Sequence, residues 1–139
     1  MTIRIAGIVN DSIVDGSGIR LAIFTQGCPH NCKGCHNPET HDFNGGTIKD
    51  TDEIIRMMED NPLLDGITLT GGEPFCQPQA WAVLAQAAHE RGLNVWMYSG
   101  WTYEQLEKDP EKRMLLRHAD VLIDGRYEEK LRTLALPWR

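Results

Sequence analysis

The sequence has no run of eighteen apolar residues and no basic start leading into an apolar stretch; its opening, MTIRIAGIVNDSIVDG, is of mixed polarity. Those absences argue against a helical membrane span and a secretory leader, and they predict a soluble, cytoplasmic protein with no membrane partner. A basic excess is missing too. With a formal charge of −6 and a pI near 5.3, the chain offers no footprint for a polyphosphate backbone, and nucleic acid is not an expected partner. Low-complexity tracts and long charge blocks are absent, so order is expected nearly throughout. Cysteine is scarce, four in 139 residues, yet three of the four fall between Cys28 and Cys35. In a reducing compartment such thiols are more often ligands or redox groups than disulfides, and three in one tight loop cannot all pair.

What is present suits a compact core. Hydrophobic residues make up 41% of a chain long enough for one domain, residues 1–139, and too short for two comfortable ones. Short apolar or β-branched runs recur as IRIAGIV (3–9), RLAIFTQ (20–26), GITLT (66–70), NVWMYS (94–99) and DVLID (120–124), each bounded by Gly, Asn or Asp. Helical patterns fall between the later ones: TDEIIRMMED (51–60), PQAWAVLAQAAHERG (78–92) and TYEQLEKDPEKRMLLRHA (102–119), the last broken before Pro110. Asp50, Thr51 and Asp52 supply caps, Pro78 suits a first turn, and Thr102 with Gln105 forms a capping-box pattern. Alternating strands and helices predict an α/β fold, a mainly parallel sheet covered by helices, open or closed into a barrel, with chemistry at the carboxyl ends of the strands.

The cysteines lie in GCPHNCKGCHNPET. Positions 28, 32 and 35 would share a helical face, but Gly27, Pro29, Asn31, Gly34 and Pro38 refuse a helix, Pro at about 3 kcal/mol and Gly at about 1 kcal/mol relative to Ala. A loop gains nothing by packing thiols on itself, so a metal or cluster is the expected occupant. Zinc would need a fourth ligand from His30, His36 or His41 and would make a non-catalytic interaction module. A [4Fe-4S] cluster would take the three thiolates and keep one iron open. Cys76, just past another motif, is the rival fourth ligand, although Phe75 beside it points to packing.

Other unusual residues also follow strands. Gly71-Gly72-Glu73-Pro74 reads either as a turn or as a ligand cradle, in which glycines admit close backbone approach and a carboxyl group accepts from an ammonium. Ser99 either caps the next turn or meets a ligand. Asp124 and Arg126 belong to a surface turn or to the same site. The four tryptophans, Trp81, Trp96, Trp101 and Trp138, are expected in packing roles.

The Cys28-x-x-x-Cys32-x-x-Cys35 spacing followed by Gly-Gly-Glu-Pro resembles the radical S-adenosylmethionine (SAM) superfamily. With IAGIVNDSIVDGSGIR, TLTGGEP, YSGWTYEQL and DVLIDGRYEE in order, the chain more closely resembles its glycyl-radical activating branch, the activators of anaerobic ribonucleoside-triphosphate reductase. That resemblance implies a partial, open βα barrel in which Cys28, Cys32 and Cys35 hold a [4Fe-4S] cluster. It further implies that Gly71, Gly72, Glu73 and Ser99 contact SAM, whose amino and carboxylate groups occupy the open iron. An electron from the cluster would cleave SAM to methionine and a 5′-deoxyadenosyl radical, which removes a hydrogen from one glycine of the partner. No side chain is then a catalyst in its own right, since the radical arises on the cofactor. The implied partners are the reductase large subunit and a low-potential electron donor such as flavodoxin or ferredoxin. Another glycyl-radical enzyme is the alternative target. Asp15-Gly16-Ser17-Gly18-Ile19-Arg20, with Ser17 in place of the usual Pro, is expected at the lip of the site.

Overall fold

The structure is a computed structural model that describes residues 1–13, 18–27, 45–124 and 132–135. Among the described residues, seven strands form one sheet: β1 (Thr2–Ser12), β2 (Arg20–Thr25), β3 (Thr47–Asp50), β4 (Gly66–Gly71), β5 (Asn94–Ser99), β6 (Val121–Asp124) and β7 (Arg132–Ala135). Their order is β3-β1-β2-β4-β5-β6-β7. The four central strands, β2, β4, β5 and β6, pair in parallel, while β1, β3 and β7 are antiparallel to their neighbours. Four α-helices among the described residues cover it: α1 (Thr51–Asp60), α2 (Pro78–Glu90), α3 (Tyr103–Lys108) and α4 (Pro110–Leu116). The architecture is the expected α/β one, a partial, open βα barrel.

Local chemistry accounts for the helices. The Asp50 side chain accepts from the Asp52 N–H at 2.9 Å, and Thr51, Ile54 and Met58 then form a single buried stripe on α1. In α2, Pro78 sits in the first turn and Ala80, Ala85 and Ala88 let the helix press its buried Trp81 and Leu84 against the sheet. Thr102 and Gln105 make the reciprocal capping box of α3. Pro110 cannot continue that helix, so Asp109 ends α3 and caps α4. The core is continuous, with Leu21, Ile23, Ile67, Leu69, Val95, Met97 and Leu122 of the parallel strands all at 0% exposure. Each such side chain contributes about 1.5–3 kcal/mol of transfer free energy.

Several expectations are corrected. β3 and β7 were not foreseen, the run 20–26 ends at Thr25, and 120–124 begins at Val121. The helix expected to Gly92 stops at Glu90. The clearest displacement concerns Gly18-Ile19-Arg20. Arg20 opens β2 and pairs with Gly66, whereas Thr25 at the other end pairs with Gly71. These residues therefore lie at the amino ends of the parallel strands, roughly 17 Å along β2 from the expected site; Asp15, Gly16 and Ser17 lie outside the described residues.

Arg20 is fully buried there. Its Nε donates to Thr68 Oγ1 at 2.7 Å, its guanidinium donates to the Ile67 carbonyl at 2.7 Å, and it lies 5.3 Å from the Trp96 ring. Desolvation pushes its pKa down to about 10, against the pull of Asp65 and Asp120, so the group is still a cation at neutral pH. Gly66 makes room for it: a Cβ at that position would lie 2.5 Å from the guanidinium. The buried cation ties together the starts of β2, β4 and β5, and it is a structural feature rather than part of the carboxyl-end site.

Candidate functional site

At the opposite edge, strand register brings the unusual motifs together. Thr25 pairs with Gly71, and Ser99 with Asp124. The carboxyl ends of β2, β4, β5 and β6 therefore lie on one rim, the edge at which the sequence reading expects the site.

Glu73 is the hub of that rim and is 0% exposed. Its Oε1 accepts from the Gly100 N–H at 2.8 Å, and its Oε2 from the Phe75 N–H at 3.2 Å. The Ser99 hydroxyl lies 3.1 and 3.0 Å from the two carboxyl oxygens and shares its proton between them. Buried acceptors persist only when supplied with donors, and here the donors come from both the β4 and the β5 turns. Glu73 thus locks the Gly-Gly-Glu-Pro turn to Ser99-Gly100. Ser99 also accepts from the Trp101 N–H at 3.0 Å, so it caps its own turn as well as reaching Glu73.

Two main-chain bonds carry the lock across to the root of the cysteine loop. The Gly72 N–H donates to the Thr25 carbonyl at 3.0 Å, and the Glu73 N–H to the Gly27 carbonyl at 2.8 Å. Gly71 has φ +90°, and a Cβ there would stand 2.8 Å from the Thr25 nitrogen. Only glycine fits so close an approach in that conformation.

Asp124 is buried rather than on a surface turn, and its Oδ2 accepts from the Tyr103 N–H at 2.6 Å, at the start of α3. Cys76 closes the short 3-10 turn Pro74–Cys76, half-buried, with its N–H on the Glu73 carbonyl at 3.0 Å. Cys28, Cys32 and Cys35 lie outside the described residues, as do His30, His36, His41, Arg126 and Trp138. Three tryptophans take packing roles: Trp81 is in the core, Trp96 faces Arg20, and Trp101 carries Lys112 Nζ 4.6 Å from its ring.

Sequence reasoning missed Arg4, Thr25 and Gln77. Gln77 Oε1 accepts from the Arg4 N–H at 2.9 Å, while its Nε2 donates to the Arg4 carbonyl at 2.8 Å and to Thr25 Oγ1 at 2.9 Å. Its only signal was position, directly before the Pro78 that starts α2.

The donor set fits an iron-sulfur group. Three thiols spaced Cys28, Cys32 and Cys35 leave from a fixed root at Gly27, itself at φ +103°, beside a turn whose glycines bring main chain close. Comparison with known proteins agrees. Residues 14–139 match the family described as a 4Fe-4S single cluster domain. The anaerobic ribonucleoside-triphosphate reductase-activating protein of Pasteurella multocida is 35% identical, over 91% of this chain and 85% of its own length. Those of Vibrio cholerae and of enterobacteria phage T4 are each 32% identical over 91% of this chain, covering 86% and 81% of the relatives. Membership of an iron-sulfur family sets aside the zinc-bound module as a reading of the cysteines. With its rim, its cysteine spacing and these relatives, the chain belongs to the anaerobic ribonucleoside-triphosphate reductase-activating proteins, within the 4Fe-4S single cluster domain family.

Proposed function

We propose that this chain, acting as one radical SAM domain over residues 1–139, installs a glycyl radical on the large subunit of anaerobic ribonucleoside-triphosphate reductase. The observation that carries the reading is the convergence on one rim of the cysteine-loop root, the Glu73 turn and the Ser99 turn, in a member of the activating family. Cys28, Cys32 and Cys35 would hold a [4Fe-4S] cluster, three thiolates being one short of a closed ligand set, with SAM as the second cofactor. When bound, the cluster would supply one-electron reductive cleavage of SAM, the chemistry needed for hydrogen-atom abstraction from the partner's glycine.

The chain's own residues bind and orient. Gly71 and Gly72 let main chain approach SAM, and Glu73 and Ser99 present polar atoms to it from a rigid frame. Because Glu73 spans two turns, its carboxyl group is positioned before any ligand arrives. The electron comes from a low-potential donor such as flavodoxin or ferredoxin, in the cytoplasm. Neither nucleic acid nor membrane is part of this reading; the chain carries a formal charge of −6, and no helix among the described residues is long and apolar enough to cross a membrane.

Electron paramagnetic resonance tests the proposal. The anaerobically reconstituted protein, mixed with SAM, reductant and the reductase, is expected to give a glycyl-radical doublet that is lost when the reductase's C-terminal radical glycine is replaced by alanine. A doublet that persists in that variant overturns the assignment of target.

A further inference from the structure

Arg4, on β1, touches both ends of the segment that carries the cysteines. Its carbonyl accepts from the Gln26 N–H at 3.3 Å, just before Gly27, and its guanidinium donates to the Gly45 carbonyl at 2.9 Å, where the chain returns. Gly46 presses into the same place at φ +73°. A Cβ there would overlap the Ile5 carbonyl oxygen and stand 2.9 Å from Gln26 Cγ. Gln77 fixes Arg4 in turn, pairing with both its N–H and its carbonyl as a neighbouring strand would, and reaching Thr25 with the same amide. The amide orientation is dictated by its partners, because a flipped Gln77 would set donor against donor and acceptor against acceptor.

We propose that Arg4 and Gln77 form a clasp that holds the neck of the cysteine loop shut, making them positioning residues for cluster retention. The inference rests on the reading that Cys28, Cys32 and Cys35 hold the cluster. Its physical basis is loop closure: bringing the ends of a flexible segment together costs entropy, and a neck already closed removes that cost from cluster binding. A neck that opens lets the three thiolates separate, so retention falls although no ligand is changed.

The test uses the full chain as wild type, Arg4→Ala, Arg4→Lys, Gln77→Glu and the control Ile54→Val, a small core change on α1 outside the clasp. Gln77→Glu is isosteric and keeps the acceptor for the Arg4 N–H while losing both donations. Two quantities are read: hydrogen exchange at residues 26–27 and 45–46 in the iron-free protein, and the rate of iron loss to a chelator after anaerobic reconstitution. We expect Arg4→Ala and Gln77→Glu to exchange faster at the neck and to lose iron about three- to tenfold faster, the span that one or two net hydrogen bonds provide. Arg4→Lys, which keeps a cationic donor, is expected to recover most of the difference, and Ile54→Val to lose iron like wild type. Wild-type rates in both Arg4→Ala and Gln77→Glu overturn the clasp, as does equal acceleration by Ile54→Val. A wild-type chain that takes up no iron instead overturns the cluster reading, and the exchange measurement still decides whether the neck is clasped.

Discussion

Gly71 and Glu73 stand two residues apart and are constrained for different reasons. Gly71 answers to β2, whose backbone leaves no room for a Cβ, and to a left-handed φ. Gly71→Ala is expected to destabilise the fold by about 1–3 kcal/mol, read as a lower urea midpoint without SAM present. Glu73 answers to β5. In Glu73→Gln an amide NH2 replaces one acceptor, so a donor faces either the Gly100 or the Phe75 N–H. A loss of about 1–3 kcal/mol is expected in the SAM-free protein, in addition to weakened SAM binding with the cluster retained. An unchanged midpoint would reduce Glu73 to a ligand contact with no strut role. The sequence could mark Glu73 as special but not say why, since its partners Ser99 and Gly100 lie some 26 residues away. Arg20 shows the same limit: its motif suggested the site, and only strand register put it at the other end.

The elements legible in the sequence are those whose chemistry is local. The caps at Asp50 and Thr102, with Pro78 and Pro110, mark where α1 to α4 begin, whereas α2 and the last helix stop at Glu90 and Leu116, short of the expected 92 and 119. β3 was not legible, because Thr47–Asp50 is short and largely exposed and owes its conformation to pairing with Thr2–Ile5. β7 likewise exists through its pairing with β6. Asp109, between α3 and α4, gives an element-level prediction. The Lys112 ammonium, at 3.1 Å, and the Glu111 and Lys112 N–H groups hold its carboxyl below the ordinary carboxylate value. With the folded value depressed, its contribution is present above the ordinary carboxylate range and is lost as pH falls through the folded value. The Tm of wild type should exceed that of Asp109→Asn near neutrality, and thermal scans should show the gap closing as the solution is acidified. Equal Tm values for the two proteins near neutrality would mean that capping alone, which Asn also supplies, carries the effect.

For the molecule as a whole, the sheet is most secure at its centre. β2, β4 and β5 each have a strand on both sides and carry the fully buried Leu21, Ile23, Ile67, Leu69, Val95 and Met97, whereas β3 is bonded only through β1 among the described strands and is largely exposed. Hydrogen exchange in the folded chain should therefore be slowest in β2, β4 and β5 and faster in β3 by orders of magnitude, since only opening of the whole domain exposes the first group. Comparable rates in β3 would indicate that the flank is as stable as the centre. Glu73 and Ser99 thus sit at the ends of the central strands β4 and β5, whose core side chains are fully buried, which is how a site is kept to a fixed geometry.

The grip on the cysteine loop falls largely on main-chain atoms: the carbonyl of Gly45, the N–H of Gln26 and the carbonyl of Gly27. A scaffold that holds the ends of an insert by backbone atoms makes few demands on the side chains at those ends. The two joins, at 26–27 and 45–46, are therefore tolerant of side-chain change where a carbonyl or an N–H does the holding, with Gly27 and Gly46, at φ +103° and +73°, as the exceptions.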